Sequence, residues 1–126
     1  GLASITPASG FVGPWEALLI GSVAGLLCQE AVVLIRNKAK IDDTLDVMAV
    51  HGVGGIFGTI MIAAFGAGTW TAQLGSLAIV GAYTTIVTVG LILVCRMITP
   101  MRVDEDIEVS GLDLAVHGER AYDISS

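Results

Sequence analysis

Three apolar runs decide most of what this chain can fold into. They cover about Trp15 to Ile35, Val47 to Ala67 and Leu74 to Ile98, and a bilayer core needs about 20 helical residues to cross. The second run holds no formal charge and has His51 and Thr59 as its polar side chains; the third is charge-free until Arg96. Core helices of soluble proteins give apolar stretches of about 10–14 residues, so these runs read as transmembrane helices. The fold class they imply is an all-α membrane protein, a transmembrane helix bundle. Hydrophobic residues make up 54% and charged residues 14%, against about 25% charged in an ordinary soluble domain. That excludes a water-solvated globule, a disordered chain, collagen and a coiled coil.

Between the runs the chain divides naturally. Residues 1–13 read as the end of a preceding span and an outer loop, 15–35 as a transmembrane helix, and 36–46 as a cytoplasmic loop and helix start. Residues 47–67 form the next span, 68–73 an outer loop, 74–98 a further span and 99–126 an acidic cytoplasmic tail. The first thirteen residues lack the basic segment of a signal peptide. Pro7 stops a helix near Thr6 and Pro14 opens the next one, so this stretch reads as part of a longer protein.

Orientation follows from the loops. Arg36, Lys38 and Lys40 lie together, whereas Gly66 to Gln73 holds no base. The positive-inside rule places the first connection in the cytoplasm and the second outside. Arg96 and Arg102 put the far end of the third run inside too, and Trp15 and Trp70 fall at the outer interface, where indoles are favoured. From Val103 to Ser126 seven acids face one base, which is the whole net charge of −6. Nucleic acid is excluded as a partner, because a phosphate backbone needs a basic surface.

His51 is the residue most worth chemical attention. An ionisable group deep in an apolar span is expensive and functional by default, although imidazoles also bridge membrane helices as structural links. At helical spacing His51 shares a face with Gly54, Gly55 and Gly58, and Val47 and Asp43 continue it toward the cytoplasm. Gly21 and Gly25 form a second small-residue pair, read as helix-packing contacts. Asp42, Asp43 and Asp46 read as helix-start acids, favoured by capping and by the macrodipole. Glu16, Gln29 and Glu30 interrupt the first run near its ends and receive no transport role. Cys28 and Cys95 read as ordinary buried thiols. No second His, Cys or carboxylate stands three or four residues from His51, so neither a metal, a cofactor nor a catalytic set is implied, and the chain reads as no enzyme.

The block Asp42-Asp43-Thr44-Leu45-Asp46-Val47-Met48-Ala49-Val50-His51-Gly52-Val53-Gly54-Gly55 resembles the ammonium transporters of the Amt/Mep/Rh family. Gly1 to Ala8 upstream, and Gly111-Leu112-Asp113-Leu114 with His117-Gly118-Glu119-Arg120-Ala121-Tyr122 downstream, extend the resemblance over essentially the whole chain. Met48 stands where the family pattern carries an aromatic. The resemblance implies the C-terminal part of an eleven-span, inverted-repeat transporter of the plasma membrane, assembled as a homotrimer with one pore per subunit. It implies a pore lined by His51 with Val47, Thr6 and Gly54, His51 being one of two paired imidazoles. Ammonium would lose its proton on entry and cross as neutral ammonia, since a bare cation is costly in an apolar core. It also implies a regulatory tail carried by Gly111, Leu112, Asp113, His117 and Tyr122, and a cytoplasmic face open to a PII-type signal protein. Alternatives are a membrane ammonium sensor or an Rh-type gas channel. The tail motif and the D-D-x-x-D start weigh against the second.

Overall fold

The computed structural model describes residues 1–41 and 43–119. It is helical, with no strand among the described residues, and divides into two compact units, Gly1–Tyr83 and Thr84–Ser126.

The first unit begins with a single helical turn, α1 (Leu2–Ile5). Gly13 then takes an extended conformation and Pro14 occupies the first helical position of α2 (Pro14–Val33), where its missing N–H and fixed φ cost nothing. Helix α2 runs on into a π-helical turn, Leu34–Lys38, so that Pro14–Lys38 forms an apolar rod of 25 residues. A second π segment, Met48–Val53, of 6 residues, leads directly into α3 (Gly54–Ala64), of 11. Together they sit at the lower limit of about 17 residues for crossing a bilayer. Gly66, at φ 75°, ends this rod. Helix α4 (Trp70–Ile98) is 29 residues long and passes from the first unit into the second. It starts at Trp70, earlier than the apolar run, with the Thr69 hydroxyl accepting the Ala72 N–H at 3.3 Å. Two helices, Pro14–Lys38 and Trp70–Ile98, are thus long and apolar enough to span, and Met48–Ala64 is a shorter apolar helix.

Packing in this unit is made with small residues. Ala8, Ile20 and Ile62 form the core, with Ile5, Val12, Phe57 and Met61 against it. Ser4, Ala24, Cys28, Ala49, Gly54, Gly58 and Ala63 are also buried. Large side chains such as Leu18, Leu26 and Ile56 point outward instead, and no residue of α4 is buried. Small residues inward and large ones outward is the pattern of helices that approach closely in lipid.

The glycine pairs behave differently from the sequence expectation. A Cβ built on Gly25 meets nothing within 4 Å, whereas one on Gly58 would overlap the Ser4 carbonyl oxygen. A Cβ on Gly54 would lie 2.7 Å from Ser4 Oγ and 3.2 Å from Cys28 Sγ. Gly54 and Gly58 are therefore the pair that lets α1 and α2 close on α3. The structure also corrects one thiol: Cys28 is buried, but Cys95 is exposed.

In the second unit α5 (Glu105–Ser110) ends at Gly111, whose φ of 95° and ψ of 131° stop the helix. A π turn, Asp113–His117, follows and closes on Gly118 in the left-handed region. Arg102 grips Glu108 with two hydrogen bonds, Nε to Oε2 at 3.0 Å and Nη2 to Oε1 at 2.8 Å. That fork, and after it the guanidinium charge, hold the Glu108 carboxyl below its ordinary value of 4.5. Tyr122, expected in the regulatory tail, lies outside the described residues.

Candidate functional site

The segment bearing His51 is fixed at its start by a connection that folds on itself. Arg36, at the end of the α2 rod, reaches across it: Nη2 donates to the Thr44 carbonyl at 2.9 Å and to Asp46 Oδ2 at 3.0 Å, while Nε lies 2.7 Å from Asp46 Oδ1. The fork holds Asp46 at φ 54°, a left-handed conformation that Asp tolerates better than most residues. The Asp46 carbonyl accepts the Val50 N–H at 2.8 Å, closing the first helical turn.

Helix starts leave backbone N–H groups without intrahelical partners, and here Asp43 takes two of them. Its Oδ1 accepts from Val47 N–H at 2.9 Å and its Oδ2 from Met48 N–H at 2.8 Å. The three acids expected to act alike therefore separate: Asp43 caps with its side chain, Asp46 caps with its carbonyl and pairs with Arg36, and Asp42 lies outside the described residues.

Beyond the cap, the π segment alters which residues share a face. Bonds of the i→i+5 type put more residues in a turn than the 3.6 of an α-helix. His51 is exposed although Gly54 and Gly58, three and seven positions on, are buried against α1. A strict α-helical reading had stacked all three on one face. Gly55 is half-buried with nothing within 4 Å of a Cβ, so open space flanks it.

The other pore candidates are distributed around this segment. Val47 is exposed and donates its N–H to Asp43. Thr6, exposed at the end of α1, donates its hydroxyl to the Leu2 carbonyl at 2.8 Å, and α1 contacts the π segment. Gly54 is buried in the helix junction. Beside it sits Ser4, whose Oγ is fully buried with no hydrogen-bond partner among the described residues. Cys28 Sγ lies 3.9 Å from the Val50 carbonyl, one residue before His51. Among the described residues no group of three His, Cys, Asp or Glu gathers that could hold a metal ion. What remains is an exposed imidazole, able to donate at one nitrogen and accept at the other, on a helix with an apolar surround.

The sequence pattern of the Ammonium Transporter Family matches residues 1–122. The chain belongs to that family. A protein of Bacillus subtilis named ammonium transporter is 35% identical over 97% of this chain. Ammonium transporter Amt1 of Archaeoglobus fulgidus is 38% identical over 97%, and ammonium transporter MEP1 of Saccharomyces cerevisiae 35% over 98%. The chain spans about a third of the length of these relatives, 34%, 34% and 30% respectively. No solved structure matches it significantly. Membership of this family accords with two helices, Pro14–Lys38 and Trp70–Ile98, long and apolar enough to span a membrane.

Three features of the Asp43 to Gly58 region are not legible in the sequence. The Arg36–Asp46 fork joins residues ten apart across a loop, a pairing that helical spacing does not flag. Ser4 carried no signal beyond being small. The π segment has no sequence signature at all, since Met48 to Val53 is as compatible with an α-helix.

Proposed function

We propose that this chain is part of a transporter that conducts ammonium or ammonia across the plasma membrane, with His51 lining the pore. The observation that carries the reading is an imidazole placed within the apolar Met48–Ala64 helix, beside the closely packed Gly54 and Gly58. Polar side chains in a membrane helix are costly unless they serve a partner or a path. Similarity to proteins named ammonium transporters supports the substrate.

In this reading the full protein has eleven spans in two inverted halves and forms a homotrimer, and its C-terminus is cytoplasmic. Val47 and Thr6 border the path near His51, and Gly54 supports it by close packing. Ammonium gives up its proton at the entrance, neutral ammonia passes the apolar walls, and the proton follows over the imidazole, which can donate at one nitrogen and accept at the other. Gly111, Leu112, Asp113, His117 and Tyr122 form a regulatory tail, and the cytoplasmic face receives a PII-type signal protein.

Producing the full-length protein in cells that lack their own ammonium uptake tests the reading. Growth on low ammonium should be restored. A cysteine at Asn37 should react with an impermeant thiol reagent from the cytoplasmic side and one at Ala72 from outside. Unrestored growth from a correctly inserted protein would favour a sensor, and the opposite labelling pattern would overturn the orientation.

A further inference from the structure

We propose that Asp43 is a positioning residue that sets the direction of the His51 imidazole by holding its helix in the π form. The proposal rests on reading His51 as a pore group, and its argument is geometric. His51 lies between two clamps. On one side both Asp43 carboxylate oxygens accept the first N–H groups of the rod, Val47 and Met48, at 2.9 and 2.8 Å. Such charge-assisted bonds are stronger than neutral ones, and a carboxylate at a helix start is further favoured by the macrodipole. On the other side Gly58 is locked against the Ser4 backbone, and Gly54 packs on the Ser4 and Cys28 side chains.

The six residues from Met48 to Val53 connect these fixed ends as a π segment. π-Helical pairing is rare and recurs at functional sites, so something must hold it against relaxation to the α form. The distal clamp is packing against backbone and cannot slide. The proximal clamp joins the Asp43 side chain to the Asp46 carbonyl, which accepts only the Val50 N–H, so the Val47 and Met48 N–H groups depend on Asp43. If the Asp43 bonds are removed, the segment is free to rewind toward 3.6 residues per turn. His51 then moves toward the face it shares with Gly54 and Gly58 in an α-helix, which is the face closed by α1.

The test uses the full-length transporter in membranes and the histidine-acylating reagent diethyl pyrocarbonate, with His117 as the internal reference. In Asp43→Ala the reactivity of His51 relative to His117 should fall about three- to thirtyfold, the range set by loss of a cap. Uptake should fall with it, at unchanged half-saturating concentration. Asp43→Asn keeps one oxygen acceptor and should recover part of both. Unchanged His51 reactivity in Asp43→Ala overturns the proposal, whatever happens to uptake. Should Asp43→Ala fail to reach the membrane, Asp43→Asn decides alone: intermediate reactivity supports the clamp and wild-type reactivity overturns it. Lowered reactivity with wild-type uptake supports the clamp and counts instead against His51 as a pore group.

Discussion

Replacing Gly58 by alanine probes the contact on which the first unit depends. A Cβ there would overlap the Ser4 carbonyl oxygen, with the Ser4 carbonyl carbon at 2.9 Å and Pro7 Cδ at 3.3 Å. Carbon pairs rest at about 3.5–4.0 Å, so α1 and α3 must separate by at least about half an ångström. The obstacle is backbone, which has no rotamer to change. Overfilling a packed interior typically costs about 1–3 kcal/mol, and this site belongs at the upper end, because Ala8, Ile62 and their neighbours loosen with it. Gly55→Ala is the matched control. Nothing lies within 4 Å of its Cβ, and alanine in a helix gains about 0.5–1 kcal/mol over glycine. Thermal unfolding of the purified full-length variants should place Gly58→Ala several degrees below the wild type and Gly55→Ala at or above it. Equal melting temperatures for the two variants would refute the α1–α3 contact and the inward role of the Gly54/Gly58 pair.

Two predictions concern the tail. Gly111→Asp should unfold the α5 turn and lower uptake or its regulation, since φ 95° and ψ 131° cost a non-glycine residue about 1–3 kcal/mol; loss of α5 amide protection in hydrogen exchange reports it, and unchanged protection counts against it. Because Glu108 is held below its ordinary value of 4.5, its pairing with Arg102 contributes above that pH and is lost as pH falls through the lowered value. An NMR titration should show a Glu108 midpoint below 4.5 that Arg102→Gln raises back, with the effect weakening in salt as exposed pairs do; a wild-type midpoint at the ordinary value contradicts the fork.

Apolar length was readable in the sequence because it is a sum over many residues. The rods Pro14–Lys38 and Trp70–Ile98 fall on two of the three runs read there, and the shorter Met48–Ala64 on the third. Facing was harder to read. Assigning His51, Gly54 and Gly58 to one stripe assumed 3.6 residues per turn, and the π segment breaks that assumption at the one place where it mattered. The two glycine pairs were indistinguishable by spacing, since what separates them is α1 folding back so that Ser4 meets Gly54 and Gly58. Tertiary return of that kind leaves no local pattern. Of the acids that the sequence places at this helix start, Asp43 caps with its side chain, and its division of labour with Asp46 depends on Arg36 reaching across the loop.

The most direct test of the account is ammonium flux into proteoliposomes containing matched amounts of full-length wild-type and His51→Ala protein. The account predicts that the variant inserts and assembles as the wild type does, because His51 lies outside the junction of Gly54 and Gly58 with Ser4, while its flux falls sharply. Wild-type flux from His51→Ala would contradict the pore role, and failure of that variant to assemble would make His51 a structural link between helices.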